Sequence, residues 1–195
     1  MTYDLLIALT WFALVATITP GPNNVMVMAS GANYGFRRTL PHMLGIAFGF
    51  AFMVLLVGLG LAQMFTAIPQ LKTALTVAGI AYLLYLAWKI AHAAAPGRGD
   101  TAGKPLSFLQ AASFQWVNPK AWQMAVTAIR LYSANKSITA VAKVAADFFV
   151  LCLPCVGLWT LLGEKLRDAL SNPKRLRAFN WTMAALLVAS LILLI

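Results

Sequence analysis

The chain alternates between long apolar runs and short polar gaps that hold most of its charged residues. Each run is about 20 residues long, which is the length of α-helix that crosses the hydrocarbon core of a bilayer. The pattern therefore predicts an all-α integral membrane protein with six transmembrane helices. The predicted spans are Leu5–Ala29, Leu40–Met64, Leu71–Ile90, Phe108–Ile129, Ile138–Leu162 and Phe179–Ile195.

Composition supports this class. Hydrophobic residues make up 61% of the 195 residues, charged residues only 10%, and the mean hydropathy is +0.78. A soluble domain of this size carries roughly 25% charged residues. The first span is predicted to remain in the mature protein, because Asp4 occupies the place of a basic signal-peptide region and no Lys or Arg precedes Arg37.

Basic residues give the chain a net charge of +10 and also predict its orientation. They lie beside the apolar runs, where they contact anionic lipid head groups, so no nucleic-acid partner is expected. The first, third and fifth gaps carry ten Lys and Arg residues, whereas the second and fourth carry four. For a protein of the bacterial inner membrane, the positive-inside rule then places the first, third and fifth gaps in the cytoplasm and both termini in the periplasm.

Two of the predicted helices are interrupted near the middle of the membrane. Thr19–Asn24 breaks the first span and Gln115–Lys120 breaks the fourth, because proline removes a backbone donor and clashes with the preceding turn. The breaks lie about half a chain apart, which predicts two inverted three-helix repeats, residues 1–95 and 108–195, joined by a cytoplasmic linker at 96–107. Matching breaks in inverted halves indicate the substrate site of a transporter.

The residues of both breaks are candidate substrate-binding residues, because freed N–H groups at a helix start suit a carboxylate and freed carbonyls suit an ammonium group. Lys120 is expected to meet the carboxylate or to pair with an acid. The alternatives are ordinary proline kinks and a Lys120 that snorkels to the interface. The candidates are Thr19, Pro20, Gly21, Pro22, Asn23, Asn24, Gln115, Asn118, Pro119 and Lys120.

Asp147 is the only acid well inside a predicted span. An intramembrane carboxylate can titrate during transport, so Asp147 is a candidate coupling group and a possible partner of Lys120. The alternative is a salt bridge to Lys143, one helical turn away.

Cys152 and Cys155 form a Cys-x-x-Cys pattern within the fifth span. One functional interpretation of the two cysteines is a transmembrane thiol-redox relay or a metal site. Neither a thioredoxin-like strand–helix pattern nor a second pair of ligands accompanies it, so packing as small hydrophobic residues is favoured. No metal and no cofactor are expected.

Several motifs resemble the lysine exporter and homoserine/threonine resistance (LysE/RhtB) family. They are Pro20-Gly21-Pro22-Asn23, Gly35-Phe36-Arg37-Arg38, Gly45 and Asn118-Pro119-Lys120. The resemblance implies a secondary exporter of an amino acid or amino-acid derivative, driven by an ion gradient, with a proton as the expected coupling ion. The sequence contains no Walker-type nucleotide-binding segment, which agrees with transport without ATP.

Three further features carry structural expectations. Gly45 and Gly49 lie four residues apart, which predicts a close helix contact inside the monomer rather than a dimer seam, although a homodimer stays open. His42 follows Pro41 near a predicted helix end and is expected at the membrane interface, with a proton relay as the alternative. Trp116 and Trp122 flank the second break, either as membrane anchors or as cavity-lining residues.

Overall fold

The computed structural model describes residues 1–93, 104–133 and 137–191, and every regular element within these ranges is helical. Short 3₁₀ turns at Leu61–Gln63 and Gln115–Val117 interrupt the α-helices. The α-helices are α1 (Tyr3–Ile18), α2 (Pro22–Tyr34), α3 (Phe36–Gly58), α4 (Met64–Ala67), α5 (Pro69–Ala91), α6 (Phe108–Phe114), α7 (Pro119–Tyr132), α8 (Ile138–Lys165) and α9 (Pro173–Ala189).

Three helices of the described ranges are long and apolar enough to cross a membrane, namely α3, α5 from Thr73, and α8. Helices α1 and α2 form a fourth candidate span that is bent by 55° at its break. These helices are consistent with the predicted all-α membrane class. Helices also cover the fourth and sixth predicted spans, but α6 and α7 are separated by the second break and α9 has 17 residues. The count of six spans therefore stays a prediction.

Helix boundaries differ from the prediction where capping outweighs hydropathy. Helix α3 begins at Phe36, whose N–H donates to Glu164 Oε1 at 2.9 Å, and it ends at Gly58 before Gly60 adopts a positive φ of 109°. Helix α9 begins at Pro173, because Asn172 caps it by accepting from the Lys174 N–H. The predicted linker at 96–107 lies mostly outside the described residues.

Helix α8 is the centre of the bundle and packs along α1, α2 and α3. At the crossing with α2 the two backbones touch, so a Cβ on Gly31 would overlap the Thr160 carbonyl and one on Gly163 would overlap the Met28 carbonyl. Gly45 similarly faces Phe108 of α6, and Gly49 faces Ala112. The predicted close contact within the monomer is confirmed.

The apolar core consists of two clusters at different heights along the bundle. One cluster contains Val27, which follows the first break, and Phe114, which precedes the second. The other contains Ala13, which precedes the first break, and Ala125, which follows the second. The two breaks therefore lie side by side in a polar layer between the clusters.

His42, which we expected at the membrane interface, is buried among the helices of the bundle. Only 1% of its surface is exposed, and α3 starts at Phe36 rather than Leu40, about one turn earlier than hydropathy indicated. By contrast, Trp88 is 61% exposed on α5, and its ring lies tilted against that of His92 with centroids 5.0 Å apart.

Candidate functional site

Each break ends at a proline that occupies the first position of the next helix. Pro22 opens α2 and Pro119 opens α7. Proline suits this position, because its missing N–H would have no intrahelical partner there. Both predicted breaks are therefore present, and each presents the N-terminus of a half-helix in the polar layer.

A reciprocal pair of amides connects the two breaks. Asn23 Nδ2 donates to Gln115 Oε1 at 2.9 Å, and Gln115 Nε2 donates back to Asn23 Oδ1 at 3.2 Å. Gln115 is completely buried and also donates to the Ala111 carbonyl at 2.9 Å. A second reciprocal pair, between Asn33 and Asn180, holds the other end of α2 against α9.

Lys120 reaches from the second break to the first. Its Nζ donates to the Thr19 carbonyl at 2.7 Å, to Thr19 Oγ1 at 2.9 Å and to the Pro20 carbonyl at 3.2 Å. Gly21 makes room for this side chain, since a Cβ there would lie 2.7 Å from Lys120 Cδ. The predicted pairing of Lys120 with Asp147 is wrong, because two carbonyls of the first break and the Thr19 hydroxyl take its three donors.

The remaining freed groups are capped by side chains. Asn24 Nδ2 donates to the carbonyls of Thr17 and Thr19, both at 2.8 Å, and Trp159 Nε1 donates to the Ile18 carbonyl at 3.0 Å. At the second break, Asn118 caps α7 by accepting from the Lys120 N–H at 3.2 Å. Asn24 and Asn118, which we expected to face a substrate, thus hold the ends of the broken helices.

A cavity of about 30 Å³ lies at the meeting point of the breaks, and we call it the junction cavity. Six predicted site residues line it, namely Gly21, Asn23, Asn24, Gln115, Asn118 and Lys120.

A larger groove of about 740 Å³ lies on the other side of Lys120, between the breaks and α9. The remaining predicted residues, Thr19, Pro20, Pro22 and Pro119, line this groove. Gly21 and Lys120 line both spaces, so they separate the junction cavity from the groove.

Helix α8 supplies residues that the sequence analysis did not assign to this region. Cys152 lines the junction cavity, Cys155 Sγ accepts from Thr17 Oγ1 at 3.2 Å, and Trp159 lines the groove. Both thiols are free, and no group of three His, Cys, Asp or Glu residues within the described ranges could hold a metal ion. One face of α8 carries Cys152, Cys155 and Trp159. Their spacing in the sequence does not indicate which neighbouring helix that face contacts.

Asp147 lies outside the junction cavity and the groove. Its Oδ1 accepts from Thr10 Oγ1 of α1 at 3.0 Å, whereas Oδ2 is buried and has no hydrogen-bond partner among the described residues. Lys143 is exposed, and within the described ranges it makes no salt bridge with Asp147. Neither predicted lysine partner is therefore bonded to this carboxylate.

Trp116 and Trp122 pack against each other rather than into the junction cavity. Trp122 Nε1 donates to the Trp116 carbonyl at 2.8 Å, and the two rings meet edge to face with centroids 6.1 Å apart. This contact braces the second break from its outer side.

Comparison with known proteins gives a consistent result. A family profile described as LysE type translocator matches residues 14–194. A cysteine/O-acetylserine efflux protein of Klebsiella pneumoniae is 28% identical over 194 residues, covering 96% of this chain and 95% of that protein. The protein of the same description from Escherichia coli K12 is 36% identical over 133 residues, covering 68% of this chain and 67% of that protein. No solved structure matches the chain.

Proposed function

The chain belongs to the LysE type translocator family, and from this premise we propose that it exports a small amino acid or amino-acid derivative across the bacterial inner membrane. A member of a translocator family is a transporter rather than an enzyme, which disfavours the thiol-redox relay. Cysteine and O-acetylserine are the first substrates to consider, because similar proteins are described by their efflux. The observation that carries the proposal is the meeting of two broken helices in a polar layer between two apolar clusters.

The junction would recognise the two charged groups of an amino acid at different places. The starts of α2 and α7 carry partial positive charge, and Lys120 adds a full one, so this side suits the carboxylate. The carboxylate would replace the carbonyls of Thr19 and Pro20 as the acceptor of Lys120 Nζ. The Asn23–Gln115 pair would open to offer its amide oxygens to the ammonium group. The proposed substrate-binding residues remain all ten residues of the two breaks.

An amino acid is larger than the junction cavity, so binding would require the surrounding helices to separate. We propose alternating access, in which inverted halves at 1–95 and 108–195 rock against each other. The packing between the halves is symmetric, because α8 of the second half contacts α1 and α2 of the first while α3, its proposed counterpart, contacts α6 and α7 of the second. The termini would lie in the periplasm.

The first prediction concerns substrate. In proteoliposomes loaded with unlabelled cysteine or O-acetylserine, the purified protein should accumulate the same labelled compound by counterflow, and protein-free liposomes should not. A panel that includes lysine, threonine and homoserine measures the breadth of the site. If no amino acid or derivative in the panel moves faster than in protein-free liposomes, the exporter proposal fails.

The second prediction assigns coupling to Asp147. One proton moving through 100 mV supplies about 2.3 kcal/mol, enough for a roughly 40-fold substrate gradient. Asp147→Asn should lose this gradient-driven accumulation but keep counterflow, because exchange needs no net proton movement. Asp4→Asn, which changes an acid in the first turn of α1, is the matched control.

Thr10→Val tests the same carboxylate without removing it. The variant deletes the hydrogen bond to Asp147 Oδ1 and should keep coupled transport. Gradient-driven accumulation by Asp147→Asn equal to that of the unmodified protein would remove Asp147 from the coupling step.

A further inference from the structure

His42 is a buried polar residue with no hydrogen-bond partner among the described residues. It lies six residues after the start of α3, or about 9 Å along the helix axis. Neither Nδ1 nor Nε2 has a hydrogen-bond partner within the described residues, and the side chain is 1% exposed. An imidazole carries at least one N–H donor in every protonation state, and buried donors in proteins are almost always bonded. No described residue therefore pairs with His42, which leaves its ring N–H open to a ligand.

His42 faces a cavity of about 50 Å³, which we call the His42 cavity. Lys89 of α5 and Tyr34 of α2 line it, and exposed Lys104 lies at its edge. No hydrogen bond or salt bridge occupies the Lys89 ammonium within the described residues, and none of the residues described as lining the cavity is acidic. The wall thus combines unused donors with positive charge, which is the chemistry that binds a carboxylate.

The His42 cavity lies one helical turn from the junction cavity. On α3, His42 lines the first and Ile46, four residues later, lines the second. On α2, Met26 lines the first and Asn23 lines the second. A turn advances the helix by about 5.4 Å, which is close to the distance between the carboxylate of an amino acid and the far end of a small side chain.

We propose that the His42 cavity is a second carboxylate-binding site, where the exported amino acid docks by its carboxylate before it reaches the junction. His42 donates from its ring N–H and Lys89 supplies the positive charge. The apolar side of the cavity, formed by residues such as Leu86 and Leu106, lowers the local dielectric and strengthens both interactions. The inference rests on the proposed export function, because that function supplies the amino acid.

Ring ¹⁵N NMR of the unmodified protein tests the site directly. The chain contains two histidines, so His92→Gln assigns both resonances, and exposed His92 serves as an internal control. At constant pH and ionic strength, acetate should shift the His42 resonance saturably, whereas sodium chloride and methylammonium chloride should not. Equal shifts with chloride, or no acetate-specific shift, would overturn the proposal.

Two variants separate this site from the junction. Lys89→Met should weaken acetate binding about tenfold, because it removes one charge-assisted interaction, whereas Lys143→Met on the exposed side of α8 should not. His42→Leu should raise the cysteine concentration that gives half-maximal counterflow and leave the maximal rate unchanged. A protein that exports without acetate binding at His42 contradicts this inference alone, and one that binds acetate without moving any amino acid contradicts the proposed function.

Discussion

Lys120→Met is expected to reduce amino-acid counterflow roughly 100-fold while the protein still folds. The change removes the ammonium group that joins the two breaks and that would receive the substrate carboxylate. Charge-assisted hydrogen bonds contribute about 1.5–3 kcal/mol each, and losing about 3 kcal/mol of them corresponds to the stated factor. The measurement is initial counterflow rate per unit of reconstituted protein.

Two companion variants show whether the position or merely the charge matters. Lys120→Arg keeps the charge, but its planar head is wider and Gly21 lies directly against the lysine stem, so it should recover only part of the rate. Lys143→Met removes an exposed lysine of α8 and should transport normally. Unchanged counterflow by Lys120→Met would exclude Lys120 from the substrate pathway.

The second large effect is expected at the crossing of α2 and α8. Gly163→Ala should lower the melting temperature in detergent by about 10 °C, because its Cβ would overlap the Met28 carbonyl and lie 3.0 Å from the Ala32 nitrogen. These neighbours are backbone atoms that cannot rotate away, so the helices must separate. Overpacking of this kind costs about 3 kcal/mol.

The same helix provides the control. A Cβ on Gly157 would meet the flexible end of Met43 at 3.5 Å, which is an ordinary contact. Gly157→Ala should therefore unfold at the original temperature or slightly above it, since alanine favours a helix by up to about 1 kcal/mol. Equal melting temperatures for the two alanine variants would show that α2 and α8 do not depend on this close approach.

The features that the sequence predicted correctly are local ones. Length and hydropathy indicate the apolar helices, and the prolines at 20, 22 and 119 interrupt a helix wherever it packs. The structure accordingly has both breaks where they were predicted. The helix starts at Phe36 and Pro173 were missed, because a side chain that accepts from the first N–H groups allows a helix to begin within a polar or charged segment that hydropathy assigns to a loop.

Partners across the junction were not predictable from the chain alone. Lys120 bonds to Thr19, 101 residues away, and Trp159 bonds to Ile18, 141 residues away. Such pairs depend on how the helices cross, and the spacing of residues along one helix does not indicate which other helix it will contact. The burial of His42 was missed for the same reason, since the Phe36 N–H at the start of α3 bonds to Glu164 on α8, 128 residues away.

The two amide pairs of α2 have a consequence for biosynthesis. The partner of Asn23 is Gln115, which is synthesised 92 residues later, and the partner of Asn33 is Asn180, which is synthesised 147 residues later. During translation this half-helix enters the membrane with two amides whose partners on other helices have not yet been made. The Asn23 end can be bonded once Gln115 is made, but the Asn33 end only when α9 arrives, so a ribosome-bound chain that stops before Asn180 should hold α2 more loosely than the finished protein.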